Sequence, residues 1–118
     1  MSGELAGWVV AVLGGDRRML EHMRQARAAG ATVQHYGAAP GAEEAAGAPE
    51  APSLAEAVRG ARLISCPIPG LGTDHSLYAP FAREKLFLTT EVLRGAAPGA
   101  LMFMGRVSPQ IAAWAEGT

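Results

Sequence analysis

Apolar and polar positions change period repeatedly along this chain, and the changes mark its elements. Trp8 to Leu13 is an unbroken apolar run of mostly β-forming residues, which reads as a strand buried on both faces. Gly14 and Gly15 follow as a tight turn. Asp16 is placed to cap the next helix, its carboxylate accepting from free N–H groups of the first turn. Residues 17–29 read as that helix. Met19, Met23 and Ala26 recur at i, i+4 and i+7, and Leu20 widens the stripe. Glu21 faces Arg18 and Arg24 at i,i+3 on the wet side. Gly30 is a natural C-cap. Residues 31–36 read as a second strand, ended by Gly37.

Residues 38–52 are Ala, Gly, Pro and Glu without periodicity, so they read as a structureless surface loop. Ser53 caps a short helix at 54–59, with Glu56 as its capping-box partner. Residues 62–65 form a short strand. The loop 66–76 holds two prolines and two glycines, which forbid a regular ladder and let backbone approach a ligand. Residues 77–83 suggest a helical turn and 85–88 a short strand. Thr89 or Thr90 caps a helix ending by Gly95. Residues 100–104 read as a buried strand. Ser108 and Pro109 then open a last helix, to about residue 116, with Ile111 and Trp114 or Ala115 on its apolar side. This alternation predicts an α/β fold: a three-layer α/β/α, Rossmann-like (flavodoxin-like) domain. Its sheet is parallel, with a strand order starting 2-1-3.

Size and charge narrow the function classes. The 118 residues suit one domain with a single core. A net charge of −1 with no basic run argues against nucleic acid as the main partner. No apolar stretch reaches the roughly 18 residues that span a membrane. The start, Met1-Ser2-Gly3-Glu4, has no basic region or cleavage site of a signal peptide. The single Cys66 excludes an internal disulfide and fits a reducing cytoplasm. His22, His35 and His75 have no zinc-like spacing, so no metal site is expected.

The glycine turn limits what chemistry the first unit carries. A dinucleotide fingerprint needs G-x-G-x-x-G, and Met19 stands where the third glycine would be. Asp16 also puts negative charge where a pyrophosphate needs positive potential. No cofactor site is expected on this chain. The carboxyl ends of the strands instead gather three segments at one edge: Gly14, Gly15 and Asp16; the loop with Gly70, Gly72, Thr73, His75 and Ser76; and Arg106 with Ser108. Backbone N–H groups and the Arg106 guanidinium there suit a small carboxylate. Each residue also has a plainer reading. His75 beside Asp74 is a proton carrier or a surface histidine, and Thr73 and Ser76 are donors or turn residues. Arg106 is a carboxylate partner or a solvated arginine. Cys66 reads as a buried structural thiol before a nucleophile. Trp8 and Trp114 read as core or subunit-contact aromatics.

Val10 to Glu21, Cys66-Pro67 with its glycine-rich loop, and Met102-Phe103-Met104-Gly105 with the helix after it resemble the N-terminal domain of the A-subunit of bacterial dipicolinate synthase. The resemblance covers most of the chain outside residues 38–52. It implies a complete polypeptide more than twice this length, with a dinucleotide-binding C-terminal domain absent from this chain and NADP bound there. It implies oxidation of a dihydrodipicolinate-type intermediate to pyridine-2,6-dicarboxylate during sporulation, together with a B-subunit of dipicolinate synthase. This domain would sit on the substrate side, placed like the substrate domain of two-domain 2-hydroxyacid dehydrogenases. It would have no turnover alone, and its place would be the cytoplasm of the mother cell of a spore former. The alternatives are a stand-alone small-anion-binding module and a subunit-docking module. Self-association as a homodimer is expected if apolar surface around Ile111 and Trp114 is left open; otherwise Trp114 completes the domain's own core.

Overall fold

The computed structural model describes residues 4–67 and 76–103. Within them the chain builds a four-stranded sheet in the order β2-β1-β3-β4, from β1 (Val9–Leu13), β2 (Thr32–Tyr36), β3 (Leu63–Ser65) and β4 (Leu101–Phe103). Every pairing is parallel, with Val12 opposite both His35 and Ser65, and Ser65 opposite Phe103. The predicted α/β class and the 2-1-3 start are therefore correct. β1 lies in the middle, and Val10 to Leu13 are buried, as its apolar run requires.

Two cores lie on opposite faces of the sheet. Val10, Val12 and Val33 pack under α1 (Arg18–Ala28) and α2 (Ala42–Ala46). Ala11, Leu13 and Ile64 pack under α3 (Leu54–Val58) and Leu93 of α4 (Thr90–Leu93). Burying each of the larger aliphatic side chains stabilises the fold by about 1.5–3 kcal/mol before entropy is counted. Among the described residues, no helix is long and apolar enough to cross a membrane.

Local signals place most helix ends. Gly30, at φ +100°, closes α1: its N–H donates to the Arg27 carbonyl, and the Ala31 N–H reaches the Ala26 carbonyl. Ser53 Oγ accepts from the Glu56 N–H at 3.1 Å, and Thr89 Oγ1 accepts from the Val92 N–H at 3.2 Å. Asp16 acts one residue early. Its Oδ1 accepts from the Arg18 N–H at 3.0 Å, and the helix begins at Arg18. Gln34 of β2 donates to the Ala57 carbonyl at 2.7 Å, tying the end of α3 to the sheet.

Three expectations need correction. Residues 38–52 are not a structureless loop but contain α2. Ala42, Ala45 and Ala46 fall at i, i+3 and i+4 and are buried, between Gly41 and Gly47 in the left-handed region. Nonlocal bonds pin the segment to its neighbours. The His35 Nε2–H donates to the Ala48 carbonyl at 2.8 Å, and the Gly37 N–H to Glu50 Oε2 at 2.9 Å. Arg27 donates to the Glu44 carbonyl at 3.1 Å.

The turn expected within 77–83 is confined to residues 79–82, where the Ala82 N–H donates to the Ala79 carbonyl at 3.1 Å, and 85–88 do not form a strand. An antiparallel bridge joins Ser76 to Phe87 instead, and the segment 76–88 runs as a strap that buries Leu77, Leu86 and Leu88. β4 is not fully buried: Leu101 is 55% and Phe103 62% exposed, while Met102 packs inward. It is an edge strand, with one face open among the described residues. The predicted helix from residue 109 lies outside them.

Ser53→Ala should lower stability by about 1 kcal/mol in urea denaturation, since it leaves the Glu56 N–H without its partner. An unchanged midpoint would show that the cap does not hold α3.

Candidate functional site

The carboxyl ends of β1, β3 and β4 converge because their register is parallel. They bring together the Gly14-Gly15-Asp16 turn, the Ser65-Cys66-Pro67 exit and Phe103, whose carbonyl accepts from the Cys66 N–H at 2.8 Å. A cleft of about 660 Å³ starts at this edge and runs back between α1 and β3. Its mouth holds Asp16, Arg18 and Pro67, and its wall holds His22, Ser65 and Phe103. The volume and the largely apolar wall with few polar groups are those of a small-ligand site.

The two turn glycines do a different job from the one their sequence suggests. Gly14 and Gly15 both adopt positive φ. The Gly14 N–H donates to the Tyr36 carbonyl at 2.8 Å, and the Gly15 N–H to the Tyr78 carbonyl of the strap at 2.7 Å. A Cβ on Gly14 would come within 3.1 Å of that same carbonyl, and one on Gly15 would run into Met19. The glycines thus let the strap and the first turn of α1 close over the end of β1. The amides of Gly14, Gly15 and Arg18 are all taken. The turn does not fit a dinucleotide pyrophosphate, which needs such amides free and a small residue where Met19 stands.

Charge at the mouth is self-paired. Arg18 Nε donates to Asp16 Oδ1 at 2.9 Å and to Oδ2 at 3.2 Å. The guanidinium holds the Asp16 carboxyl below its ordinary range, and Asp16 in turn raises the Arg18 pKa. Arg17 turns the other way and stacks over the Phe81 ring, 5.1 Å from its centroid. A bound carboxylate at this edge would meet Arg18 only in competition with Asp16.

His22 and Ser65 form the polar pair of the cleft, sharing a hydrogen bond of 3.0 Å between Nδ1 and Oγ. The sequence reading passed over both. A signal was present: His22 lies three residues after Met19 and four before Ala26, on the flank of the apolar stripe. Its partner is 43 residues away and could not be read locally. Of the residues expected at the site, Gly14, Gly15 and Asp16 stand at the edge, and Ser76 lies in the bridge to Phe87. Gly70, Gly72, Thr73, His75, Arg106 and Ser108 lie outside the described residues. Among those described, no three His, Cys, Asp or Glu side chains gather as metal ligands.

The family model for the N-terminal domain of the dipicolinate synthase A-subunit matches residues 9–118. Two solved structures are similar. Dipicolinate synthase from Bacillus subtilis, in its A chain, superposes with a TM-score of 0.77 at 21% identity, covering 98% of this chain and 39% of that one. The dipicolinate synthase A-subunit from Bacillus halodurans gives a TM-score of 0.72 at 19% identity, with the same coverages of 98% and 39%. This chain thus spans about two fifths of their length, and at these identities the likeness establishes the fold alone. No curated protein matches the chain.

Cys66 is buried, with no charged group acting on it among the described residues, and burial pushes its thiol up to about 12. It should resist alkylation at pH 8 in the folded protein and react once urea unfolds it. Its titration also works against the fold. From pH 9 upward the unfolded chain releases a proton that the folded chain keeps, so stability should fall as pH rises towards 12. Rapid labelling of the folded protein would contradict the burial.

Proposed function

Because the chain belongs to the family of dipicolinate synthase A-subunit N-terminal domains, we propose that it is the substrate-side domain of such an enzyme. The observation that carries this reading is the family match over residues 9–118, joined to an open cleft at the carboxyl edge of the sheet. In this role the domain supplies one wall of the substrate cleft, and a dihydrodipicolinate-type intermediate is oxidised there to pyridine-2,6-dicarboxylate. The glycine turn of this chain does not fit NADP, so the dinucleotide belongs to another part of the A-subunit. The B-subunit of dipicolinate synthase is the proposed partner. The compartment proposed is the cytoplasm of a sporulating mother cell.

A flat dicarboxylate suits this edge for physical reasons. Pro67 and Phe103 offer apolar surface to a ring, and Gly70 and Gly72 are assigned to the same edge in our reading. Asp16 occupies Arg18, so the substrate carboxylate needs a different cation. Arg106, three residues after β4, is that cation in our reading, and a guanidinium can hold the carboxylate through two parallel hydrogen bonds. Asp16, Thr73, His75, Ser76 and Ser108 complete the proposed edge.

The complete A-subunit, assayed with the B-subunit and NADP, should form dipicolinate. Arg106→Ala should lower kcat/KM by roughly tenfold or more, about 1.4 kcal/mol of transition-state stabilisation. Absence of dipicolinate formation by the intact pair would overturn the function. Unchanged kinetics in a folded variant would remove Arg106 from the site.

A further inference from the structure

A polar file runs along the cleft side of α1. Arg18, His22 and Gln25 fall at i, i+4 and i+7, and all three line the cleft. Arg18 is held by Asp16, and the Gln25 amide donates to Glu21 Oε2 at 3.3 Å. His22 stands between them, one turn behind the mouth, and its partner is on the facing wall. Its Nδ1 lies 3.0 Å from Oγ of Ser65, the last residue of β3. The two differ in burial: Ser65 is buried, whereas His22 is exposed. The imidazole is anchored through one nitrogen only. Among the described residues, its Nε2 has no hydrogen-bond partner.

The burial of Ser65 decides where the imidazole proton sits. Among the described residues, Nδ1 is the one hydrogen-bond partner found for the Ser65 hydroxyl. A buried hydroxyl that only accepted from Nδ1–H would leave its own proton without an acceptor, whereas one that donates to Nδ1 does not. The neutral ring then carries its proton on Nε2. In the imidazolium both nitrogens carry protons; Nδ1–H donates to Oγ, and Nε2–H is again a donor. Nε2 therefore donates in either state, and the bond to Ser65 fixes the direction of the ring. A pyridine dicarboxylate lying on Pro67 and Phe103 has two carboxylates, of which Arg106 is assigned one. Resting on the substrate-side role proposed above, we propose that His22 is a specificity-determining residue of the cleft. Its Nε2–H donates to the second carboxylate of the ligand, and Ser65 is the positioning residue that keeps this nitrogen a donor.

Two measurements test this. Heteronuclear NMR of the imidazole nitrogens, on this chain at about pH 8.5, above the ordinary histidine range, should show His22 in the Nε2–H tautomer. Ser65→Ala should give a mixture of tautomers. An Nδ1–H tautomer in the wild-type chain would overturn the proposal whatever the function. In the complete A-subunit, calorimetry compares pyridine-2,6-dicarboxylate with pyridine-2-carboxylate. His22→Phe should weaken binding of the dicarboxylate by roughly tenfold or more and leave that of the monocarboxylate within about twofold, as loss of one hydrogen bond to a charged group implies. His22→Gln, whose amide N–H can stand in for Nε2–H, should keep most of the preference. Both variants change an exposed side chain, so both should fold by circular dichroism. If His22 only ties α1 to β3, His22→Phe will lower the urea midpoint and leave the preference intact, which would overturn the proposal alone. Equal binding of the two compounds by the wild type would do the same. A wild-type A-subunit that binds neither compound and forms no dipicolinate with the B-subunit would overturn the proposed function, and this role of His22 with it.

Discussion

The hydrogen bond from the Gly15 N–H to the Tyr78 carbonyl sets the geometry around it. It needs a backbone without Cβ at two successive residues with positive φ, because the strap carbonyl and Ala79 lie against Gly14 and Met19 lies against Gly15. Once formed, it lays residues 76–88 across the end of β1 and carries Leu77, Leu86 and Leu88 into the core beside Leu13 and Ile64. The central strand is thereby closed at the end where an α/β sheet often opens to ligands. The open part of the edge shifts sideways, to the exits of β3 and β4 and the start of α1.

That shift explains the polarity of the site. The Gly14, Gly15 and Arg18 amides are already paired, and Asp16 would repel a phosphate. The acidic side chain serves the helix start and fixes Arg18, leaving the mouth of the cleft close to neutral in charge. The proposed function therefore assigns carboxylate recognition to residues that follow β3 and β4 in the sequence. The remaining polar contact of the cleft, His22 with Ser65, ties α1 to β3. It leaves Ser65 Oγ satisfied although the residue is buried.

What was legible in the sequence was local. β1 announced itself as an apolar run, α1 as a stripe at helical spacing, and Ser53 and Thr89 as caps, because each signal lies within a few residues. α2 was hidden because alanine reads as neither apolar nor polar, although Ala42, Ala45 and Ala46 carry the helical spacing and are buried. The strap was misread because its fold depends on Gly15 and Tyr78, more than sixty residues apart in the chain. β4 looked buried because residues 100–104 are all apolar; its edge position among the described residues comes from the sheet order. At the site, the position of Asp16 could be foreseen from its place after the strand, whereas the His22–Ser65 pair depends on the packing of α1 over β3.

The Gly14 and Gly15 amides are consumed by packing, to the Tyr36 and Tyr78 carbonyls. Amide hydrogen exchange at Gly15 tests this pairing directly. The N–H should be strongly protected in the free protein, to a degree comparable with the core of β1, and its exchange should not change when dipicolinate or NADP is added. Fast exchange in the free protein, with protection appearing only on addition of either compound, would contradict the account.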